Sequence, residues 1–163
     1  MTETPLISIV DDDELARDGV RQLVESLGYR ATTFASAEDF LDSNTFTETT
    51  CLITDLQLPG LNGLELQEAL TSRGYQTPVI LVTAYTLTTN TGPVHSIGFL
   101  SKPFTDRSLM ECLTEAIKLS FRCFGGAIMN EEAFNVSMRK FLKKGRHYFA
   151  ARNRERGPRG ACQ

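Results

Sequence analysis

The chain has 163 residues, 41% of them apolar, which suits one domain of ordinary size plus an appendage. No run of about 18 apolar residues occurs, so no membrane span is expected, and Met1-Thr2-Glu3-Thr4-Pro5 lacks the basic-then-apolar pattern of a signal peptide, so a cytoplasmic chain is expected. The net charge of -3 is unevenly spread: residues 1–128 hold 8 Lys and Arg against 17 Asp and Glu, whereas residues 129–163 hold 9 against 3, an acidic body with a basic tail.

Leu6-Ile7-Ser8-Ile9-Val10 is short, apolar and rich in β-branched residues, the pattern of a buried strand. It ends in three carboxylates, Asp11-Asp12-Asp13. Leu15, Ala16, Val20, Leu23, Val24 and Leu27 follow at helical spacing, and Gly28 closes that helix. Asp13 reads as a helix N-terminal residue. Arg30 to Phe34 is a second, weaker strand. Ser36 then reads as an N-cap with Asp39 three residues on, a variant of the capping box, and Phe40 and Leu41 give the short helix its apolar side.

Cys51 to Thr54 predicts a third strand that delivers Asp55 to its end, followed at once by the turn residues Pro59, Gly60, Asn62 and Gly63. Leu64, Leu66, Ala69 and Leu70 mark a helix to about Arg73, stopped by Gly74. Thr77 to Val82 is a fourth strand with Pro78 at its start, where a missing N–H is tolerated. Ile97 to Leu100 is a fifth, and Leu109, Cys112, Leu113, Ala116, Ile117 and Phe121 form a last amphipathic helix. Cys51, Cys112, Cys123 and Cys162 lie far apart with no CxxC pairing, and read as reduced thiols rather than a metal site or disulfide framework.

Strands alternating with helices imply right-handed βαβ units and an α/β fold, a doubly wound five-stranded parallel sheet covered on both faces. In such sheets ligands bind beyond the carboxyl ends of the strands. That edge collects Asp11, Asp12, Asp55, Thr83 and Lys102 from four strands. Asp55 alone reads as a turn cap; the set reads as a site. Carboxylates gathered at one edge repel each other unless a cation joins them, and Mg²⁺ suits one or two carboxylates plus waters. Carboxylates form aspartyl-phosphate intermediates, and phosphoryl transfer relies on positioning and electrostatic clamping, which Lys102, Thr83 and backbone N–H groups could supply.

The matching residues are Val10-Asp11-Asp12-Asp13, Asp55-Leu56-Gln57-Leu58-Pro59-Gly60-Leu61-Asn62-Gly63, Val82-Thr83-Ala84 and Phe99-Leu100-Ser101-Lys102-Pro103-Phe104, spanning roughly residues 5–121. With these the chain resembles a response-regulator receiver domain, the CheY-like phosphoacceptor of two-component signalling. Phe34-Ala35-Ser36-Ala37-Glu38-Asp39-Phe40-Leu41 is similar to the receiver subgroup that often precedes a LuxR-type DNA-binding domain. The resemblance implies a flavodoxin-like sheet of order 2-1-3-4-5. It implies that Asp55 accepts a phosphoryl group from a sensor histidine kinase or phosphotransfer protein, and that Asp12 and Asp55 bind Mg²⁺ directly. Asp11 would act mainly through a water, and the Gln57 carbonyl would complete the ligands. Thr83 and Lys102 would contact the phosphoryl group, Phe99 matches an aromatic switch recruited with Thr83, and Pro103 matches the residue after a cis peptide bond that aims Lys102. Beyond self-modification at Asp55 and its hydrolysis, no enzyme activity is implied.

Two stretches depart from the pattern. Between Thr83 and Lys102, four Thr and a Gly92-Pro93 pair replace helical apolar spacing, so the family's fourth helix is expected to be short, irregular or absent. His95 reads as a surface residue. After a receiver domain at 1–124, residues 125–163 read as a basic tail with a helix at about 130–144, capped by Asn130, then Arg-rich unpatterned sequence. The tail could dock on the receiver, pair with a second copy as a homodimer, or touch nucleic acid. The last is the weakest reading, because no aromatic-interleaved groove pattern supports it. Two further functions stay open: a remnant transcriptional regulator whose tail binds nucleic acid, and a degenerate receiver acting as a constitutive interaction module.

Overall fold

Short runs rich in apolar and β-branched residues fold as strands here, buried on both faces in β1 and β4, and stretches of 3.6-residue phase fold as the helices that cover them. The structure, a computed structural model, describes residues 3–84 and 96–123. The elements in chain order are β1 (Leu6–Val10), α1 (Glu14–Ser26), β2 (Arg30–Phe34), α2 (Ala37–Asp42), a 3₁₀ turn (Thr45–Thr47), β3 (Thr49–Asp55), α3 (Gly63–Ser72), β4 (Val79–Thr83), β5 (Ser96–Ser101) and α4 (Asp106–Cys123). The strands form one sheet of order β2-β1-β3-β4-β5, and every pairing is parallel. This is the flavodoxin-like order, with its topological switch between β1 and β3. The expected family helix between β4 and β5, with Pro93 and His95, lies outside the described residues. So do the side chain of Phe121, Cys123 and Cys162 as thiols, and the tail with its helix at about 130–144. No helix among the described residues is long and apolar enough to cross a membrane.

Strand side chains alternate between faces, so each central strand feeds two cores. Ile7 and Ile9 of β1, Cys51 and Ile53 of β3, and Ile80 and Val82 of β4 pack with Leu23 and Val24 of α1 and Leu109, Leu113 and Ile117 of α4. The intervening Val10, Leu52, Val79 and Leu81 pack with Phe40 of α2 and Leu66 and Leu70 of α3. Each fully buried aliphatic side chain contributes roughly 1.5–3 kcal/mol relative to exposure, so the sheet is clamped from both sides.

Local chemistry sets the element ends. The Asp13 carboxylate caps α1 by accepting from Leu15 N and Ala16 N, and Ser36 caps α2 by accepting from Asp39 N. Asn62 and Glu65 form a reciprocal capping box on α3, a signal the sequence reading passed over. Gly28 and Gly74 adopt positive φ, 90° and 85°, where they end α1 and α3. β3 begins earlier than its apolar run because Thr49 is buried with its hydroxyl satisfied, 2.7 Å from the Ser8 hydroxyl and donating to Thr45 O at 2.8 Å. One expectation is corrected: Leu15, counted in the apolar stripe of α1, is 85% exposed. It is the second residue of α1, in the first turn after the Asp13 cap, and faces solvent at the mouth of the cavity beside Asp11 and Asp55.

Gly63 starts α3 hard against the sheet. A Cβ there would lie 2.6 Å from Asp55 O and 2.9 Å from Leu81 Cδ2. Gly19, inside α1, would meet nothing within 4 Å. Gly63→Ala should therefore lower stability by about 1–3 kcal/mol, and Gly19→Ala should raise it by about 0.4–1 kcal/mol. Urea unfolding midpoints of the two variants read this, and shifts of the same sign would contradict the packing described.

Candidate functional site

Strand register carries the site residues to one level. Val10 pairs with Thr54, Asp55 with Val82 and Thr83 with Ser101. One step past those pairs stand Asp11 and Lys102, beside Asp55 itself. Alternation also fixes the face. Asp11, Asp55 and Lys102 continue the rows of Ile9, Ile53 and Leu100, which belong to the core under α1 and α4. Phe99 continues the other row and packs, partly buried, against the core under α2 and α3.

Lys102 follows directly on β5, two strands and about 10 Å from β3, and its long stem spans β4 to reach the acids. Its ammonium donates to Asp55 Oδ2 at 2.7 Å and to Asp11 Oδ2 at 3.2 Å. Burial pulls that ammonium's pKa down, but the hydrogen bonds and charges of Asp55 and Asp11 outweigh it and leave the pKa above its ordinary value. The backbone tightens the same junction. Lys102 N donates to Thr83 O, and Leu56 N donates to Val82 O, both at 2.7 Å. The Lys102-Pro103 bond is cis, as the resemblance implied. Thr83 is wholly buried at the end of β4.

The two carboxylates are held differently. Asp11 is 6% exposed, and its Oδ1 accepts from Asp13 N at 2.9 Å while Oδ2 takes the Lys102 ammonium. Asp55 Oδ1 accepts from Gln57 N at 2.8 Å. Asp12 is exposed beside them. Asp11, Asp12 and Asp55 each present an oxygen within 4.8 Å of the others. Three oxygen donors so close fit a hard divalent cation by donor type and spacing. Gln57, the fourth expected ligand, follows two residues after Asp55 and is exposed.

Two contacts escaped the sequence reading. Arg17 donates from Nη1 to Asp11 O at 2.7 Å, gripping the peptide between the two acids. Helical side chains lean toward the N-terminus, so an Arg one turn into α1 was a readable signal. Glu38 Oε1 accepts from Leu61 N at 2.9 Å, tying α2 to the loop after β3. Beside the acids opens a cavity of about 250 Å³, walled by Leu15, Ala16 and Gly19 of α1 and by Phe104 and Asp106.

Residues 7–114 match the response regulator receiver domain family. The chain belongs to that family. It is similar to the transcriptional regulatory protein TdiR of Thauera aromatica, 31% identical over 117 residues, covering 70% of this chain and 52% of TdiR. It is similar to the transcriptional regulatory protein FixJ of Azorhizobium caulinodans, 32% identical over 120 residues, covering 72% of this chain and 57% of FixJ. The chain thus spans about half the length of the curated relatives it matches. The solved response regulator StyR superposes with a TM-score of 0.66 at 28% identity, over 91% of this chain and 70% of StyR. The receiver's four motifs stand at the strand ends where the sequence placed them.

The Lys102 ion pairs generate a pH prediction. Because the folded ammonium holds its proton more tightly than a free lysine, the stability it contributes is complete below the ordinary value of 10.5 and is lost as pH rises through the raised value. Unfolding midpoints followed upward from about pH 9 should fall more steeply for wild type than for Lys102→Met. Parallel profiles would contradict the pairing.

Proposed function

We propose that this receiver domain accepts a phosphoryl group on Asp55 from a sensor histidine kinase or phosphotransfer protein and signals by protein–protein contact. The observation that carries this reading is the junction at Asp55, where one carboxylate meets the Lys102 ammonium at 2.7 Å and shares a 4.8 Å cluster with Asp11 and Asp12. We assign residues 1–124 to the receiver and 125–163 to a basic appendage.

A carboxylate oxygen of Asp55 attacks the phosphorus of a phosphohistidine. The P–N bond breaks, its electron pair leaves with the imidazole, and solvent protonates that ring. Water later cleaves the acyl phosphate and releases inorganic phosphate. Beyond the Asp55 nucleophile itself, the protein supplies position and charge. Lys102 would pair with a phosphoryl oxygen in place of Asp55 Oδ2. The Thr83 hydroxyl would hydrogen-bond another, with Phe99 following it on the same face of the sheet. Asp12, Asp55 and the Gln57 carbonyl would hold Mg²⁺, which when bound neutralises charge on the phosphoryl group. Asp11, whose oxygens already serve Lys102 and Asp13 N, suits an indirect, water-mediated part. The cavity beside Asp55 and exposed Leu15 support a donor protein covering the site, since charge stabilisation strengthens when water is excluded.

The test is binding of beryllofluoride with Mg²⁺, followed by backbone amide chemical shifts. Wild type should bind, with shifts at Asp55, Thr83 and Lys102, and Asp55→Asn should lose at least about tenfold in affinity, in line with loss of a group that touches the ligand. A wild-type protein that binds no beryllofluoride with Mg²⁺ present would sink the reading.

A further inference from the structure

The proposed cation site depends on a loop, and beyond Leu56, whose N–H still donates to Val82 O of β4, the loop takes one hydrogen bond from outside, to a carboxylate. Between Asp55 and the start of α3 the chain leaves β3, passes Gln57 and turns at Gly60, whose φ is 79°. Three of its hydrogen bonds are local: Gln57 N to Asp55 Oδ1, Gly63 N to Leu56 O, and Asn62 N to Glu65 Oε2. Past Leu56, one further bond reaches another element. Leu61 N donates to Glu38 Oε1 at 2.9 Å, from a residue 23 positions earlier.

Glu38 is mounted rigidly. It lies in the first turn of α2 between Ala37 and Phe40, both fully buried, with Ser36 capping the helix. The loop packs tightly on it, because a Cβ on Gly60 would collide with the Glu38 carboxylate. The hydrogen bond from Leu61 N favours the charged form and lowers the carboxyl pKa below its ordinary value. Leu58, 8% exposed, anchors the middle of the loop in the same core. Leu58 and Glu38 thus fix two points of the segment that follows the Gln57 peptide.

We infer that Glu38 is a positioning residue for divalent-cation binding: it holds the loop so that the Gln57 carbonyl faces the cluster of Asp11, Asp12 and Asp55. The inference rests on the reading of that cluster as a cation site. Glu38 does not touch the cation. It acts through the hydrogen bond to Leu61 N, so what counts is an acceptor at its tip and not its charge. Outer partners of this kind commonly alter metal affinity by about 10- to 100-fold when removed.

Two variants separate acceptor from charge. Glu38→Gln keeps an oxygen acceptor and loses the charge; Glu38→Ala loses both. Calorimetric titration of the full chain with Mg²⁺ should give wild-type and Glu38→Gln affinities within about twofold, and Glu38→Ala about tenfold weaker. Without metal, exchange of the Leu61 amide proton should quicken in Glu38→Ala and not in Glu38→Gln. Unchanged Mg²⁺ affinity in Glu38→Ala overturns the inference, as does a Glu38→Gln variant as weak as Glu38→Ala. Wild type that binds no Mg²⁺ while the Leu61 amide still responds to Glu38→Ala overturns the cation-site reading beneath it.

Discussion

The structure turns on the Lys102 ammonium, which joins Asp55 and Asp11 at the carboxyl edge of the sheet. Without a cation these acids would face each other in a partly buried crevice, and repulsion there is costly. Lysine can make the link because its flexible stem crosses an intervening strand. It can do so only if β1, β3 and β5 end at one level and on one face. Register supplies the level and the two-residue period supplies the face. A one-residue slip of β5 would send Lys102 into the core under α2 and α3.

Everything beneath that edge keeps the strands in register. Two cores grip the sheet, one through α1 and α4 and one through α2 and α3. Gly63 brings α3 within reach of the Asp55 carbonyl, where any larger residue would push helix and strand apart. Arg17 and Glu38 hold the two loops that leave the site, one at the Asp11 carbonyl and one at the Leu61 amide. The acids therefore stand on a stiff platform, which is the arrangement charge-based catalysis requires.

What could be read from the sequence was what local chemistry decides. Asp13 and Ser36 as caps, Gly28 and Gly74 as helix ends, and the apolar strands each follow from neighbours in the chain. The acids and Lys102 were legible because strand ends in parallel sheets share one edge. What was hidden depends on distant partners. Leu15 matches the apolar spacing of α1 yet is exposed, because spacing alone does not tell which first-turn residue meets a partner. Gln67 is 4% exposed on α3, although an amide argues for the surface. The early start of β3 rests on the Ser8–Thr49 hydroxyl pair, 41 residues apart in sequence. Glu38 was visible as part of a motif, but only the fold shows that it reaches the loop after β3.

The central claim is that Asp55 is the phosphoacceptor, and covalent mapping tests it most directly. The full chain would be incubated with a phosphohistidine donor protein and Mg²⁺, the acyl phosphate trapped by borohydride reduction, and the digest read by mass spectrometry. The account predicts reduction at Asp55, with the peptides carrying Asp11, Asp12 and Asp13 unmodified. Label on another residue, or no label while the donor keeps its phosphate, would contradict it.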